Sequence, residues 1–496
     1  MRYSVFCVAV LSLGLASCNN RSLPWPSSVP VHNSPATKFL TAERPVTPQL
    51  GENLSQPSFL DDGALVGMAI SGGGMRANAF TLGVLAEIEE QHAKTARGNA
   101  FDTIDFISSN SGGSWAVAVL LEHRTRHAGK ALVDRKADIA PLFDSFNHGK
   151  VKCFESSLKN KVLGKLKFSD VYPAGQAPKA PFAYFNASLV PSQTGFVFTE
   201  AQVESYAIQS FHAACEDDIG HEVTGGIADL PVGFAAATSG SVPTFAYSYA
   251  ETAICREVAA GASFCGDPQD EKAAKRRLSY LQLVDGGLYD NLGYKTAFEL
   301  AFQFRDRPAS HRGLIFVNSS TDLRYHSIKR SKRHSSHSMA ILTSGSFATQ
   351  DATYARLKTK MFESSGIPAG HQVTLDFNAA GDVDPAKLAG YLDGLPHLAD
   401  YAARAVDCFD DRGELRKAPG KARVPDGGLP SVADSMDVLR GRGKDCTANN
   451  FARVGYLYKT TYAYDPYFFD SAFELGRFVV RKNWDAVAAA LGTASR

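Results

Sequence analysis

Three short stretches set reactive or polar side chains among glycines: Ser71-Gly72-Gly73-Gly74-Met75-Arg76-Ala77, Ser109-Asn110-Ser111-Gly112-Gly113 and Val284-Asp285-Gly286-Gly287. Ser111 has glycine at the second following position and lies between a strand-like and a helix-like segment. This is the setting of a nucleophile elbow, a strained turn whose neighbours must be small for strand and helix to pass closely while the hydroxyl stands at the helix amino end. The G-x-S-x-G pattern has glycine two residues before the serine; this chain has Ser109 there. A hydroxyl nucleophile attacking an ester needs backbone N–H groups aimed at the developing oxyanion, each worth about 3 to 4 kcal/mol in the transition state. Gly72, Gly73 and Gly74 carry no side chain to block such an approach. Arg76 follows in the first helical turn, where a cation opposes the helix macrodipole, a placement that suits a ligand-facing role such as meeting a phosphate. Asp285 ends a strand-like run, and Gly286 and Gly287 free the backbone around it for close approach to other loops.

The first glycine run also fits G-x-G-x-x-A, the phosphate turn of dinucleotide-binding folds. That function expects an acidic residue at the end of the next strand to hold a ribose. Ser109, Asn110 and Ser111 stand there instead, and no G-x-x-x-x-G-K-[ST] loop is present.

The elements that must position these residues follow from periodicity. An apolar run at 65–70 reads as a strand, followed by a helical pattern from 75 to about 90 with Phe80, Val84, Leu85 and Ile88 on one face. A second strand at 104–108 runs through the Ser111 turn into a helix at about 114–121. Two consecutive strand, turn, helix units predict a parallel sheet with helices on its faces, and place Ser111, the glycine run and Asp285 at one carboxyl edge, where such sheets bind ligands. Between 123 and 230 the signals weaken; this stretch reads as insertion and lid material with a hairpin between Phe182 and Phe198. Apolar runs return at 232–237, 281–284 and 314–317, and 467–491 reads as an amphipathic closing helix.

SGGGMRA, SNSGG and VDGGLYDNLG, in this order and each at or after a strand, resemble the patatin-like phospholipases, with a further short match at 235–243. SGGGMRA and Gly112-Gly113-Ser114-Trp115 are also similar to animal cytosolic phospholipase A enzymes. The resemblance covers roughly 66–320. It implies a three-layer α/β/α patatin-like fold with a mainly parallel central sheet, and a Ser-Asp dyad: Ser111 as nucleophile, Asp285 as base, Gly72, Gly73, Gly74 and Gly112 as oxyanion donors, and Arg76 as a partner of substrate phosphate. The expected activity is hydrolysis of phospholipid or lysophospholipid esters through an acyl-serine, with no metal or cofactor. An aspartate with the ordinary pKa near about 3.9 is a weak base for a hydroxyl, so a desolvated pocket must raise it. The alternatives are a triad completed by His311, His326 or His371, which follow Asp285 in chain order; a general esterase or triacylglycerol lipase; and a lipid-binding lipoprotein of the same fold without turnover.

A content of 44% hydrophobic and 10% aromatic residues describes a globular chain with a sizeable core, and a formal net charge of +1 gives no basic footprint for nucleic acid. The basic run 329–334 reads as a solvated loop. The amino terminus joins Arg2 to a short apolar run and ends in Leu15-Ala16-Ser17-Cys18, which resembles the lipobox of bacterial lipoproteins. It implies a signal peptide at 1–17, acylation of Cys18, a Pro- and Ser-rich tether at 18–60, and residence in the bacterial cell envelope at the outer membrane. The catalytic core is then expected at 61–330, with 331–496 as an extension packed on it. Cys153, Cys215, Cys255, Cys265, Cys408 and Cys446 remain for disulfides in an exported protein, with Cys255–Cys265 and Cys408–Cys446 as the local options. No Cys-x-x-Cys is present, and His123 and His127 enclose arginines where a zinc protease carries glutamate, so no metal site is expected.

Overall fold

The computed structural model describes residues 63–96, 98–136, 158, 162–190, 194–206, 208–213, 219–223, 226–241, 250–255, 278–305, 309–319, 363, 365–377 and 466–493. The chain divides into two compact units, Met1–Glu43 with Cys255–Leu278, and Arg44–Ile254 with Ser279–Arg496. Of the first unit only Cys255 and Leu278 are described, so the described body is the second. The expected signal peptide, Cys18, the tether, the 329–334 run, His326 and every candidate disulfide cysteine but Cys255 lie outside the described residues.

Among the described residues ten strands form one mixed, mainly parallel sheet in the order β10-β9-β1-β2-β3-β8-β7-β5-β6, with β4 paired to β3. Strand β1 spans Ala64–Ile70, β2 Phe106–Asn110, β3 Phe182–Leu189, β4 Thr194–Val197, β5 Ile208–Ala213, β6 Ile219–Glu222, β7 Ala250–Cys255, β8 Leu278–Asp285, β9 His311–Asn318 and β10 Gln372–Asp376. From β10 to β3 every pairing is parallel; β8 runs antiparallel to β3. The run 65–70 is buried at every position, as expected of a strand covered on both faces.

Helix α1 (Gly74–Thr95) follows β1 and α2 (Ser111–Arg126) follows β2. The two pack together with α3 (Val232–Ser239) on one face. On the other face lies α4 (Tyr294–Gln303), whose Tyr294 and Phe298 rings meet Phe316 of β9. The faces follow from period-two alternation: Ile70 points to α2, where a Cβ on Gly113 would meet it at 2.6 Å, whereas Phe316 is level with the neighbouring residue Ala69 and points the opposite way. Helices, sheet and helices give the three layers.

The tail is two helices, α5 (Pro466–Lys482) and α6 (Trp484–Leu491), where a single closing helix was expected. Helix α5 crosses α1 at glycines on both sides: a Cβ on Gly83 would sit 1.9 Å from the Phe473 carbonyl oxygen, and one on Gly476 2.2 Å from that of Phe80. The apolar run 232–237 is helix α3, since a short run without alternation fits either element. The expected hairpin at 182–198 is β3 and β4. Its first strand lies at the centre of the sheet between β2 and β8, so this part of the 123–230 stretch is core, not lid.

Candidate active site

Strand β3 sets the spacing of the site. Asn110, the last residue of β2, is level with Asn186, and on the other side of β3 Ala187 is level with Asp285, the last residue of β8. The last residues of the two strands that flank β3, Asn110 and Asp285, are therefore one residue apart in height, and Ser111 follows Asn110 directly. Because β8 is antiparallel to β3, Asp285 reaches this edge from the opposite direction to Ser111. The Ser111 hydroxyl donates to Asp285 Oδ2 at 2.8 Å.

Ser111 opens α2 with φ of 48°, a left-handed conformation that a non-glycine residue holds only when its surroundings impose it. Those surroundings are the first glycine run. A Cβ on Gly72 would lie 3.0 Å from Ser111 Cβ, one on Gly112 1.8 Å from the Gly74 carbonyl oxygen, and one on Gly113 2.6 Å from that of Ser71. Two glycines in the first turn of α2 weaken it by about 1 kcal/mol each relative to alanine. Their absence of side chains is what lets the two bends press together. Ser109, in the place where the elbow pattern has glycine, is fully buried and its hydroxyl accepts from Ser114 Oγ at 3.0 Å, so the departure is accommodated without a clash.

Asp285 is 1% exposed. Burial strips water from its carboxylate and pushes its pKa up to about 6, against the opposing pull of the Ser111 hydroxyl and of the Gly287 N–H, which donates to Oδ1 at 2.7 Å. A desolvated carboxylate of raised pKa thus faces the Ser111 hydroxyl. Gly286 is held so closely that a Cβ there would fall 2.3 Å from the Asn186 carbonyl oxygen.

The glycine candidates separate. Gly72 donates its N–H to the Asn291 carbonyl at 2.7 Å, so its amide is engaged in holding the bend and is not an oxyanion donor. Gly73, with φ of 139°, caps α1, Gly74, with φ of 60°, opens it, and Gly112 lies in the first turn of α2. Amides at the start of a helix have no partner within it and lie at the positive end of its dipole. Arg76 is buried just beyond the ends of the paired strands β1 and β9: Nε donates to the Ser319 carbonyl at 2.9 Å, and Nη2 lies 3.1 Å from where a Gly73 Cβ would be.

His311 and His371 do not complete a triad. His311 is level with Ala64, at the start of β1, which puts it about 20 Å along the strand direction from the Ser111 edge. The two ring centroids lie 4.7 Å apart with the planes tilted by 38°; His311 Nε2 meets the Ala490 carbonyl and His371 Nδ1 that of Arg312.

Sequence reading missed Ser239 and Ser114, whose hydroxyls meet at 2.8 Å beside the Ser111 amide, and Asn186, whose Nδ2 donates to Ser108 Oγ and the Ser109 carbonyl beneath the elbow. The 235–243 match was the available signal for Ser239, but without a role attached.

No curated protein matches the chain. Among solved structures, human GIVD cytosolic phospholipase A2 in complex with methyl gamma-linolenyl fluorophosphonate is similar at 14% identity and a TM-score of 0.36, and the same protein without inhibitor at 12% and 0.35. In each the match covers 93% of this chain, which spans 62% of the length of the solved one. Residues 68–298 match the family model described as Patatin-like phospholipase. The matched segment is the one that holds both Ser111 and Asp285.

Proposed function

We propose that this chain is a lipid acyl hydrolase of the phospholipase A or lysophospholipase type that works through a Ser111–Asp285 dyad. The observation that carries the reading is the direct 2.8 Å hydrogen bond from Ser111 to a buried carboxylate whose pKa is pushed up to about 6. Ser111 Oγ attacks the ester carbonyl carbon as its proton passes to Asp285. The tetrahedral oxyanion is held by the N–H groups of Gly73, Gly74 and Gly112 at the positive ends of α1 and α2. Collapse expels the alcohol, which takes the proton from Asp285, and leaves an acyl-Ser111. A water molecule then gives its proton to Asp285 and attacks the acyl carbonyl, releasing the fatty acid and restoring the Ser111 hydroxyl. Arg76, beside Gly73 at the mouth of α1, meets the phosphate of a phospholipid, and acylation of Cys18 keeps the domain at a membrane. The support for that anchor is the Leu15-Ala16-Ser17-Cys18 sequence.

Purified protein should hydrolyse a short-chain nitrophenyl ester and take up a fluorophosphonate, and Ser111→Ala should lose both while remaining folded, with a rate loss of about 10⁴-fold or more. Wild-type turnover in Ser111→Ala removes the assigned nucleophile, and no labelling of the wild type points to a lipid binder. Relative rates on phospholipid, lysophospholipid and triacylglycerol decide between a phospholipase and a general lipase.

A further inference from the structure

The end of α3 touches both members of the dyad. Ser239 Oγ accepts the Ser111 backbone N–H at 3.0 Å, while the carbonyls of Ser239 and Ser241 accept the N–H groups of Gly286 at 3.0 Å and Asp285 at 2.9 Å. These are carbonyls at and just past the end of a helix, which have no partner inside it and must find one outside. Here their partners are the backbone of the catalytic base. One three-residue segment thus holds nucleophile and base in a common frame.

The hydroxyls have a direction. Ser114 donates to Ser109 Oγ at 3.0 Å, so the proton between Ser114 and Ser239, 2.8 Å apart, belongs to Ser239. Ser239 therefore donates to Ser114 and turns its lone pairs to the Ser111 N–H. Every member, Ser109, Ser114 and Ser239, is completely buried, so no water can substitute for a missing hydroxyl. Ser109, which stands where the elbow pattern has glycine, supplies the acceptor that ends the chain.

We infer that Ser239 is a positioning residue of the dyad, holding the Ser111 amide through a hydroxyl chain that runs Ser239 to Ser114 to Ser109. The inference rests on the reading of Ser111 as nucleophile and Asp285 as base. Fixing the amide fixes the peptide plane at the left-handed Ser111 and hence the direction of its Cα–Cβ bond, which must aim Oγ at Asp285. It also takes the Ser111 N–H away from the oxyanion, leaving that task to the glycines.

The test is a series in the full chain, Ser239→Ala, Ser114→Ala and Ser109→Ala, with kcat, KM and thermal midpoint measured for each on a nitrophenyl ester. Loss of one neutral hydrogen bond to the nucleophile's backbone should lower kcat about tenfold in Ser239→Ala with KM unchanged. Ser114→Ala should lose about threefold and Ser109→Ala less, because each acts only through the next hydroxyl. All three serines are equally buried, so a merely structural role predicts equal losses that follow the thermal midpoint. Ser239→Thr, which keeps the hydroxyl, should recover most of the rate. Wild-type kcat in Ser239→Ala, or equal losses across the series in step with stability, overturns the inference. Should Ser239→Ala not fold, the order of Ser114→Ala and Ser109→Ala decides. A wild type that takes no fluorophosphonate removes the dyad reading and this inference together, whereas a labelled wild type beside a fully active Ser239→Ala removes this inference alone.

Discussion

Two of the buried carboxylates among the described residues, Glu87 and Asp285, are treated in opposite ways. Glu87, on α1, is completely buried where α5 crosses, and it is met by Arg477 Nε at 2.8 Å and by Arg481, with Gln91 as a further donor. Arg477 also reaches Glu90 at 2.6 Å and Glu474 at 3.6 Å. Asp285, at the site, has two neutral donors, the Ser111 hydroxyl and the Gly287 amide. A charge that serves only to join helices is neutralised by cations, because an unpaired buried charge is costly. The carboxylate that accepts a proton in the proposed mechanism is left with neutral donors, so burial raises its pKa to about 6, the range of a usable base. A cation beside Asp285 would stabilise the fold and lower its basicity.

The sharpest way to break this contrast is Asp285→Asn. Asparagine can keep both contacts, its Oδ1 accepting from Gly287 and its Nδ2 donating to Ser111, but it cannot take a proton. Hydrolysis should fall by about 10² to 10⁴-fold. Stability should move the other way. The folded pKa of Asp285 is raised from 3.8 to about 6, so the folded state binds more protons than the unfolded one between these values. Stability contributed by this group therefore falls as pH rises through that window, by up to about 3 kcal/mol. Asp285→Asn should recover part of that at pH 8 and nothing at pH 4, as read from urea unfolding at the two pH values. An Asp285→Asn protein that is less stable at pH 8 would mean that the carboxylate is held by charge after all.

Arg477→Ala tests the other side. It leaves Glu87 with Arg481 and the neutral donor Gln91, and breaking a buried pair by removing one partner costs about 3 kcal/mol. The urea midpoint should drop accordingly, while kcat of the folded protein stays at the wild-type value because the α1–α5 crossing lies on the helical layer, away from the β2 and β8 ends that carry the dyad.

The two regions also differ in how much of them the sequence discloses. Ser111, Asp285 and the glycine bends are local patterns: each is a few residues long, sits between a strand and a helix, and has a chemistry that dictates its neighbours. The first two strands and helices were legible for the same reason, an apolar period broken by glycine. The antiparallel course of β8 was not, since a run such as Leu281 to Val284 has no directional mark, and neither was the central place of β3. The amide of Gly72 looked like that of its neighbours, and only the fold brings the Asn291 carbonyl within 2.7 Å of it. Glu87 and Arg477 are 390 residues apart in sequence, and no local spacing joins them. Ser239 lay in a matched segment, yet its role depends on a hydroxyl reaching an amide 128 residues away.

The smallest effect separates the two carboxylates without a mutation. If Asp285 accepts the Ser111 proton, kcat/KM must follow the carboxylate form of the free enzyme, flat above its pKa and falling below it. With that pKa at about 6, the rate constant should be half its plateau near pH 6 and about tenfold lower near pH 5. Arg477→Ala should leave this limb where it is, because Glu87 takes no part in the proton transfer. A limb centred near pH 4 in the wild type would mean that water or a cation reaches Asp285 in solution, and the contrast between a paired and an unpaired buried carboxylate would then not describe this molecule.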